Sequence, residues 1–326
     1  MNVIVEREKG LLELERRIVE LKAMNREQPV DFSLEIRALE EKYAELQREI
    51  FGNLSPWQRV NMARHPKRPL GGDYIAQLAG FDELHGDRAL RDDPALIGGF
   101  AKLGERRVMV IAQQKGRDTK EKVQRNFGMV SPEGYRKAER LIRLAAHLKL
   151  PIITFVDTSG ADPGIASEEH GQSQAIASCL FAISEAGVPT VATIVGEGGS
   201  GGALAIAMCD TVLMLEHSVY SVASPEGCAA ILWGDAGKAE EAAEHLKLTS
   251  GDLKGFGIID EVIPEPLGGA HRDADATIGA VFSAIERALE RLSALPVERL
   301  LDQRYQKYRR VGAWQQHANA EVIPLR

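Results

Sequence analysis

Cysteine is scarce in this chain, and what there is lies scattered. Cys179, Cys209 and Cys228 are the only three, and no two of them form a C-x-x-C pair. A zinc ribbon and a disulfide framework within the chain are therefore excluded. Cys179 and Cys209 have apolar neighbours and read as small core hydrophobes. Long apolar runs are missing too, because Asp210 ends the best candidate for a membrane span. The start of the chain is charged from Glu6 to Lys9 and has no signal-peptide core. These absences predict a cytoplasmic location and no membrane partner. There is no excess of positive charge: the net charge of −7 argues against general nucleic-acid binding. With 326 residues, 44% of them hydrophobic, the chain can bury a sizeable core.

Glycine, in contrast, is concentrated where it matters. Gly196-Glu197-Gly198-Gly199-Ser200-Gly201-Gly202 follows Thr190 to Val195, an apolar and β-branched run that predicts a buried strand. Good helix formers follow from Ala203 to Cys209. A glycine loop here would present bare N–H groups at a helix N-terminus, where the first donors lack internal partners and the dipole is positive. No G-K-[ST] triplet follows, so a P-loop is excluded.

Several readings of this loop compete. Gly196, Gly198 and Gly201 spell G-x-G-x-x-G, with Glu216 downstream, as in a dinucleotide site. The helix after it is short for that role. Gly198, Ser200 and Gly202 spell G-x-S-x-G, a nucleophile elbow, with Asp260 and His271 in the order acid then base. A third reading is an oxyanion hole built from amides, with no side-chain nucleophile. The plainest is close helix–strand packing through small residues.

The rest of the chain supplies a frame. Leu11, Leu14, Ile18 and Leu21, then Ile36, Leu39, Tyr43, Leu46 and Ile50, step by three and four on either side of Gln28-Pro29. That predicts a helical hairpin over residues 1–54, packed on the body or on a partner. Residues 55–326 form the second unit. Ser55-Pro56-Trp57-Gln58 predicts a capping box, and Arg64 to Arg68 a basic turn that is either solvated or in contact with an anion. A hairpin is expected across Gly104-Glu105, and strands at 151–157, 211–215, 219–223 and 256–263. Helices are expected over 131–149, 170–186, 273–294 and 296–310, with Ser131 and Ser224 as caps. Alternating strands and helices predict an α/β fold with largely parallel strands, covered on both faces. A second glycine loop, Asp157-Thr158-Ser159-Gly160-Ala161-Asp162-Pro163-Gly164, precedes the first in the same strand–loop–helix setting. Two adjacent loops of this kind could aim amides at one point from two sides. The Gly160 and Ala161 amides are the expected opposing donors.

Longer motifs identify a family. Gln114 to Gly128, Pro132 to Lys137, Gly196 to Ile206, Ser224 to Trp233 and Pro264 to His271 together resemble the α subunit of bacterial acetyl-CoA carboxylase carboxyltransferase. The resemblance runs over nearly the whole chain. It implies a crotonase-like spiral of ββα units, preceded by a helical hairpin and followed by C-terminal helices. It also implies carboxyl transfer from carboxybiotin, held on a biotin carboxyl carrier protein, to acetyl-CoA, giving malonyl-CoA for fatty-acid synthesis. Gly201 and Gly202 would line the hole for the biotin carbonyl. The site would lie between this chain and a β subunit carrying a zinc ribbon, in an α₂β₂ assembly, with biotin carboxylase in the wider complex. No metal is expected in this chain. One departure shows in the first loop: Ser159 and Asp162 stand where the family has proline and tyrosine. The basic residues Lys115, Arg117, Lys120 and Arg125 read either as a solvated helix face or as attractors of CoA phosphates or the carboxybiotin carboxylate. Two alternatives remain open: a serine hydrolase using Ser200, and a carboxyltransferase acting on another short acyl-CoA.

Overall fold

The computed structural model describes residues 3–27 and 31–312. Helices α1 (Val3–Glu27) and α2 (Ser33–Phe51) form the expected hairpin. The Gln28-Pro29 turn itself lies outside the described residues. Ile4, Leu11, Ile50, Phe51, Leu54 and Met62 form one buried cluster, so the hairpin seam continues into the body. Helix α3 (Pro56–Ala63) carries the predicted capping box. The Ser55 hydroxyl accepts the Gln58 N–H at 3.2 Å, and Gln58 Oε1 accepts the Ser55 N–H at 2.8 Å.

Helix α4 (Gly71–Ala76) leads into strand β1 (Ala79–Glu83). The sequence A-G-F-D-E gave no strand signal here; β1 forms because it is an edge, paired antiparallel with β2 (Leu96–Leu103). Strand β3 (Arg106–Gln113) closes the expected hairpin with β2. Next come α5 (Thr119–Gln124), α6 (Pro132–Leu148) and β4 (Ile152–Thr158). Helices α7 (Ile165–Glu169) and α8 (Gln172–Glu185) precede β5 (Thr190–Gly199) and α9 (Ser200–Ala207). Strands β6 (Thr211–Leu215) and β7 (Val219–Ser221) are followed by α10 (Pro225–Trp233), α11 (Ala239–Leu246) and α12 (Ser250–Gly255). Strand β8 (Glu261–Ile263), α13 (Ala274–Ser293) and α14 (Val297–Arg309) complete the order.

The strands line up as β1-β2-β3-β4-β5-β6-β8, with β7 beside β5. From β3 onward every pairing is parallel. One core, built from Leu141, Ile142, Cys179, Ile183 and Ile206, lies between the sheet and α6, α8 and α9. A second, with Phe155, Val191, Leu213, Ile285 and Leu289, lies under α13. Both faces are covered, as continuous apolar parallel strands require.

Two local expectations need correction. The strand expected at 256–263 shrinks to β8, because a capping box at Thr249 and Asp252 starts α12 and Gly257 turns the chain at φ +70°. The S-P-E triplets also differ. The Ser224 hydroxyl accepts the Gly227 N–H at 3.1 Å and caps α10. The Ser131 hydroxyl instead donates to the Asp93 carboxylate at 2.9 Å.

Glu8 of α1 fastens the hairpin to the body. Its carboxylate meets His65 Nε2 at 3.1 Å and His271 Nε2 at 2.8 Å, and all three side chains are buried. The Lys67 N–H donates to His65 Nδ1, so the His65 proton sits on Nε2 and points at Glu8. These three side chains have the composition of a metal site. Their geometry does not suit one. The two rings stack at 3.7 Å with an interplanar angle of 23°, so their in-plane lone pairs run side by side and do not converge on one ion. The trio is a neutral-donor clasp on a carboxylate.

Burial opposes the Glu8 charge, but hydrogen bonds from His271 and His65 win and hold its pKa at about 2, below 4.5. Burial pulls the His271 pKa below 6.5. Both folded-state values are depressed, so the unfolded chain binds more protons in acid and stability rises with pH. The clasp should therefore weaken as pH falls below 6.5, and again between 4.5 and about 2. Protection factors of the α1 amides, the measured exchange rates corrected for the intrinsic rate at each pH, should fall over that window in the wild type. In Glu8→Gln the step between 4.5 and about 2 should vanish, and the hairpin should lose about 1–3 kcal/mol of protection at neutral pH.

Candidate active site

The glycine-rich stretch is not a loop. Strand β5 runs through Gly199, and α9 begins at Ser200 with no residue between. Gly198 pairs with Thr158 of β4 and with Tyr220 of β7. Gly196 and Gly198 are thus strand residues, and no turn remains to hold a pyrophosphate. The dinucleotide reading fails on that ground. Glu216, its acidic partner, accepts the Glu265 N–H instead.

The two glycine segments do face each other, as expected. A Cβ on Gly199 would run into the Ser159 carbonyl. A Cβ on Gly202 would lie 2.5 Å from the Ala161 nitrogen, 2.7 Å from the Gly160 carbonyl carbon and 2.8 Å from the Tyr135 hydroxyl. The start of α9 therefore rests directly on the turn after β4. Gly202 is fully packed, not placed at an open cleft, and its φ is not positive. Gly201 differs: its nearest neighbour would be the Ile176 side chain at 3.8 Å.

Helix α9 has no side-chain cap, so the N–H donors of its first turn have no side-chain partner at the cap. Ser200 and Gly201 of that turn border a cleft of about 390 Å³, lined also by Leu204, Tyr220, Val222 and Phe256. Across the contact, the Gly160 N–H turns back on the Thr158 hydroxyl at 3.1 Å. Of the two opposing amides expected from the sequence, Gly160 is thus engaged locally. Asp162 fills the family's tyrosine position as a turn former: its carboxylate accepts the Gly164 N–H at 3.2 Å and the Ser167 hydroxyl at 2.6 Å.

Ser200 has φ +54°, the left-handed backbone of a nucleophile elbow. No base attends it. His271 is turned to Glu8, and Asp260 pairs with Lys307 at 2.5 Å and accepts the Val212 N–H at 2.7 Å. The serine–acid–base order is not assembled in space.

Buried charges lie beneath the contact. Lys115 pairs with Asp157 at 2.8 Å and Glu197 at 2.7 Å. Arg64 pairs with Glu197 at 2.7 Å and with Glu226 at 2.5 Å. Burial would raise the Glu197 pKa, yet Lys115 and Arg64 hold it at about 2. Arg68, buried, makes a double hydrogen bond to Glu265. Arg64 and Arg68 of the basic turn are thus paired internally, while Lys67 between them is exposed. The other expected cations are dispersed. Arg117 pairs with Asp73, Arg125 donates to the Pro94 carbonyl at 2.6 Å, and Lys120 is exposed.

Sequence reasoning missed two groups. A His–carboxylate pair joins His170 Nδ1 to Glu133 at 2.7 Å. Gln113 joins β4 to α9: Oε1 accepts the Asp157 N–H at 3.1 Å, and Nε2 donates to the Gly202 carbonyl at 2.8 Å. Each spans tens of residues in sequence, so no local spacing signals it.

Known structures share this architecture. One is a crystal structure of transcarboxylase 12S with methylmalonyl-coenzyme A bound: TM-score 0.56, 21% identity, covering 77% of this chain and 44% of that longer one. Another is a Pseudomonas malonate decarboxylase hetero-tetramer in complex with coenzyme A: TM-score 0.58, 20% identity, covering 72% of this chain and 92% of that one. The fold is thus crotonase-like, of the kind found in carboxyltransferases. The sequence profile described as acetyl co-enzyme A carboxylase carboxyltransferase-like matches residues 4–312. Acetyl-coenzyme A carboxylase carboxyl transferase subunit alpha from Geobacter metallireducens is 54% identical over 309 residues, covering 94% of this chain and 97% of its own. The protein of that name from Burkholderia cenocepacia is 51% identical over 310 residues, covering 95% and 96%. The chain belongs to the family of acetyl-CoA carboxylase carboxyltransferase α subunits.

The close contact sets a difference between neighbouring glycines. Gly201→Ala should leave stability within about 1 kcal/mol of wild type, since its Cβ meets only the Ile176 side chain at van der Waals distance, within a helix. Gly202→Ala should cost about 1–3 kcal/mol, because backbone of the β4 turn must give way. Thermal unfolding of the two variants in parallel checks this; equal melting points would mean the turn yields freely.

Proposed function

We propose that this chain, as a carboxyltransferase α subunit, supplies the half-site that receives carboxybiotin. The other half-site, for the acetyl-CoA thioester, lies on a zinc-bearing β subunit in an α₂β₂ assembly. A biotin carboxyl carrier protein delivers the group, biotin carboxylase loads it, and the product is malonyl-CoA made in the cytoplasm. The observation that carries this reading is the uncapped start of α9, where Ser200 and Gly201 border a roomy, mostly apolar cleft and Gly202 packs on the turn after β4. Carboxybiotin supplies carbon dioxide and leaves negative charge on its ureido oxygen. The chain's part is electrostatic. Amides of Gly201 and Gly202, fixed before the reaction, would donate to that oxygen without reorganising. The Ala161 amide, across the contact, is the remaining candidate on the β4 side. The cleft's apolar walls exclude water and strengthen each donor. No protein base is required if the ureido group takes the α-proton of acetyl-CoA, which fits the absence of a base beside Ser200. Lys115, held by two carboxylates, keeps the strand ends together; Arg117, Lys120 and Arg125 stay the candidates for attracting CoA phosphates.

Two measurements test this. The purified chain alone should show no carboxyl transfer and gain it when mixed with the partner subunit. Activity of the single chain near that of the mixture would refute a shared site. In the mixture, Ser200→Ala should keep kcat within about threefold, since an exposed hydroxyl without a base is no nucleophile. A fall of several orders of magnitude, with labelling of Ser200 by a fluorophosphonate in the wild type, would establish the hydrolase mechanism instead.

A further inference from the structure

We propose that Gln113 is a positioning residue for the amide hole: its side chain sets where Gly202 stands relative to the turn after β4. The proposal rests on the amide-hole reading above and adds to it the residue that fixes the hole's geometry.

Gln113 is the last residue of β3 and is fully buried. Strand β3 is the hydrogen-bonded parallel neighbour of β4, so the side chain starts from a fixed frame. Its Oε1 accepts the N–H of Asp157, one residue before the 158–161 turn. Its Nε2 donates to the carbonyl of Gly202, inside the first turn of α9. One planar amide thus ties the two segments whose backbones touch at Gly202 and Ala161. No side chain caps α9, so its start takes its place from packing and from the donors on the Gly202 carbonyl. Tyr135 is the second such donor, at 3.2 Å. The Asp157 carboxylate carries the tie one strand further by accepting the Glu197 N–H at 2.9 Å. Donors in an oxyanion hole must be held to within about half an ångström. Packing prevents the segments from approaching; the two-sided hydrogen bond also resists their sliding, at the first turn of α9, as the Thr154 hydroxyl does further along at the Ile206 carbonyl.

The chemistry of the amide defines the test. A neutral amide both accepts and donates here, and few side chains of that size do so. Methionine keeps the volume and does neither. Ionised glutamate accepts from the Asp157 N–H but repels the Gly202 carbonyl. Protonated glutamic acid restores both bonds. Burial raises the pKa of a glutamic acid placed there; the Asp157 carboxylate adds to this, and the Lys115 ammonium paired with Asp157 offsets that addition, leaving burial to set the direction.

Gln113→Met, Gln113→Glu and Gly202→Ala are each assembled with the partner subunit and assayed for malonyl-CoA formation, with co-elution and melting temperature as controls. Gln113→Met should lower kcat by about tenfold to a hundredfold and leave the KM for acetyl-CoA within about twofold, because the thioester half-site is untouched. Gln113→Glu should be equally slow at about pH 9 and recover toward wild type as the pH falls to about 6, a trend the wild type lacks. Wild-type kcat in Gln113→Met overturns the proposal, and so does a Gln113→Glu profile parallel to the wild type. Should Gln113→Met fail to co-elute, the Gln113→Glu profile decides. Gly202→Ala separates the two levels. If it too turns over normally, the amide-hole reading falls; if it is slow while Gln113→Met is normal, only the positioning role falls.

Discussion

The contact between the start of α9 and the turn after β4 organises the rest of the site. Backbone meets backbone there, with Gly199 against Ser159 and Gly202 against Gly160 and Ala161. Such an approach is possible only where neither side carries a Cβ in the gap. It brings the ends of two neighbouring parallel strands, and the first turn of a helix, to one place. An oxyanion hole asks for that arrangement, since its donors must be in position before charge develops. The glycines are therefore not there for flexibility. They permit a rigid contact, and the proposed amide hole would need the same rigidity.

A rigid contact also needs its polar groups satisfied. The strand ends carry Asp157 and Glu197, both buried, and a buried carboxylate without partners would be protonated or would disrupt the fold. Lys115 and Arg64 answer both. The result is a compensated cluster beneath the site, not a cationic surface beside it. This is why the basic segment around Lys115 attracts little attention from solvent. Its most central charge is spent inside, and only its outer members, such as Lys120, are exposed. A buried pair of this kind costs more to break than it contributes to stability, because removing one partner strands the other. It gives the strand ends one way to fit.

Much of this was legible in the sequence. The a/d spacing of Leu11 to Leu21 and Ile36 to Ile50 marked both hairpin helices. Ser55-Pro56 marked the start of α3, and the β-branched runs marked β4, β5 and β6. These signals are local, and local chemistry decided them. The misses share one cause. Strand β1 exists because β2 offers an edge. The glycine stretch reads as a loop by composition, yet its first half is strand, because β4 and β7 pair with it. The clasp of Glu8 on His271 and the tie of Gln113 to Gly202 join residues 263 and 89 positions apart. Periodicity and spacing carry no information across such distances. For the site, the glycines and the second loop were visible, but which amides are free was not. That depends on Thr158 turning its hydroxyl onto Gly160, a matter of one rotamer.

Ser200 shows why the site's logic must be read from its partners. Its left-handed φ and exposed position are what a nucleophile elbow looks like, and the G-x-S-x-G spelling is intact. The same backbone, however, is what β5 needs in order to pass into α9 without a loop: one residue must reverse the strand's course, and the glycines beside it lie at other angles. The strain is accounted for by the turn alone. What would make Ser200 a nucleophile is a base, and the two residues that could have supplied the rest of a triad are occupied elsewhere, His271 in the hairpin clasp and Asp260 with Lys307. Remove the base and the elbow becomes a way of aiming amides. Under the proposed function, a fold that rests the first turn of a helix on the turn after a neighbouring parallel strand would stabilise negative charge from a reactant brought to it, and the cleft beside α9 would choose that reactant.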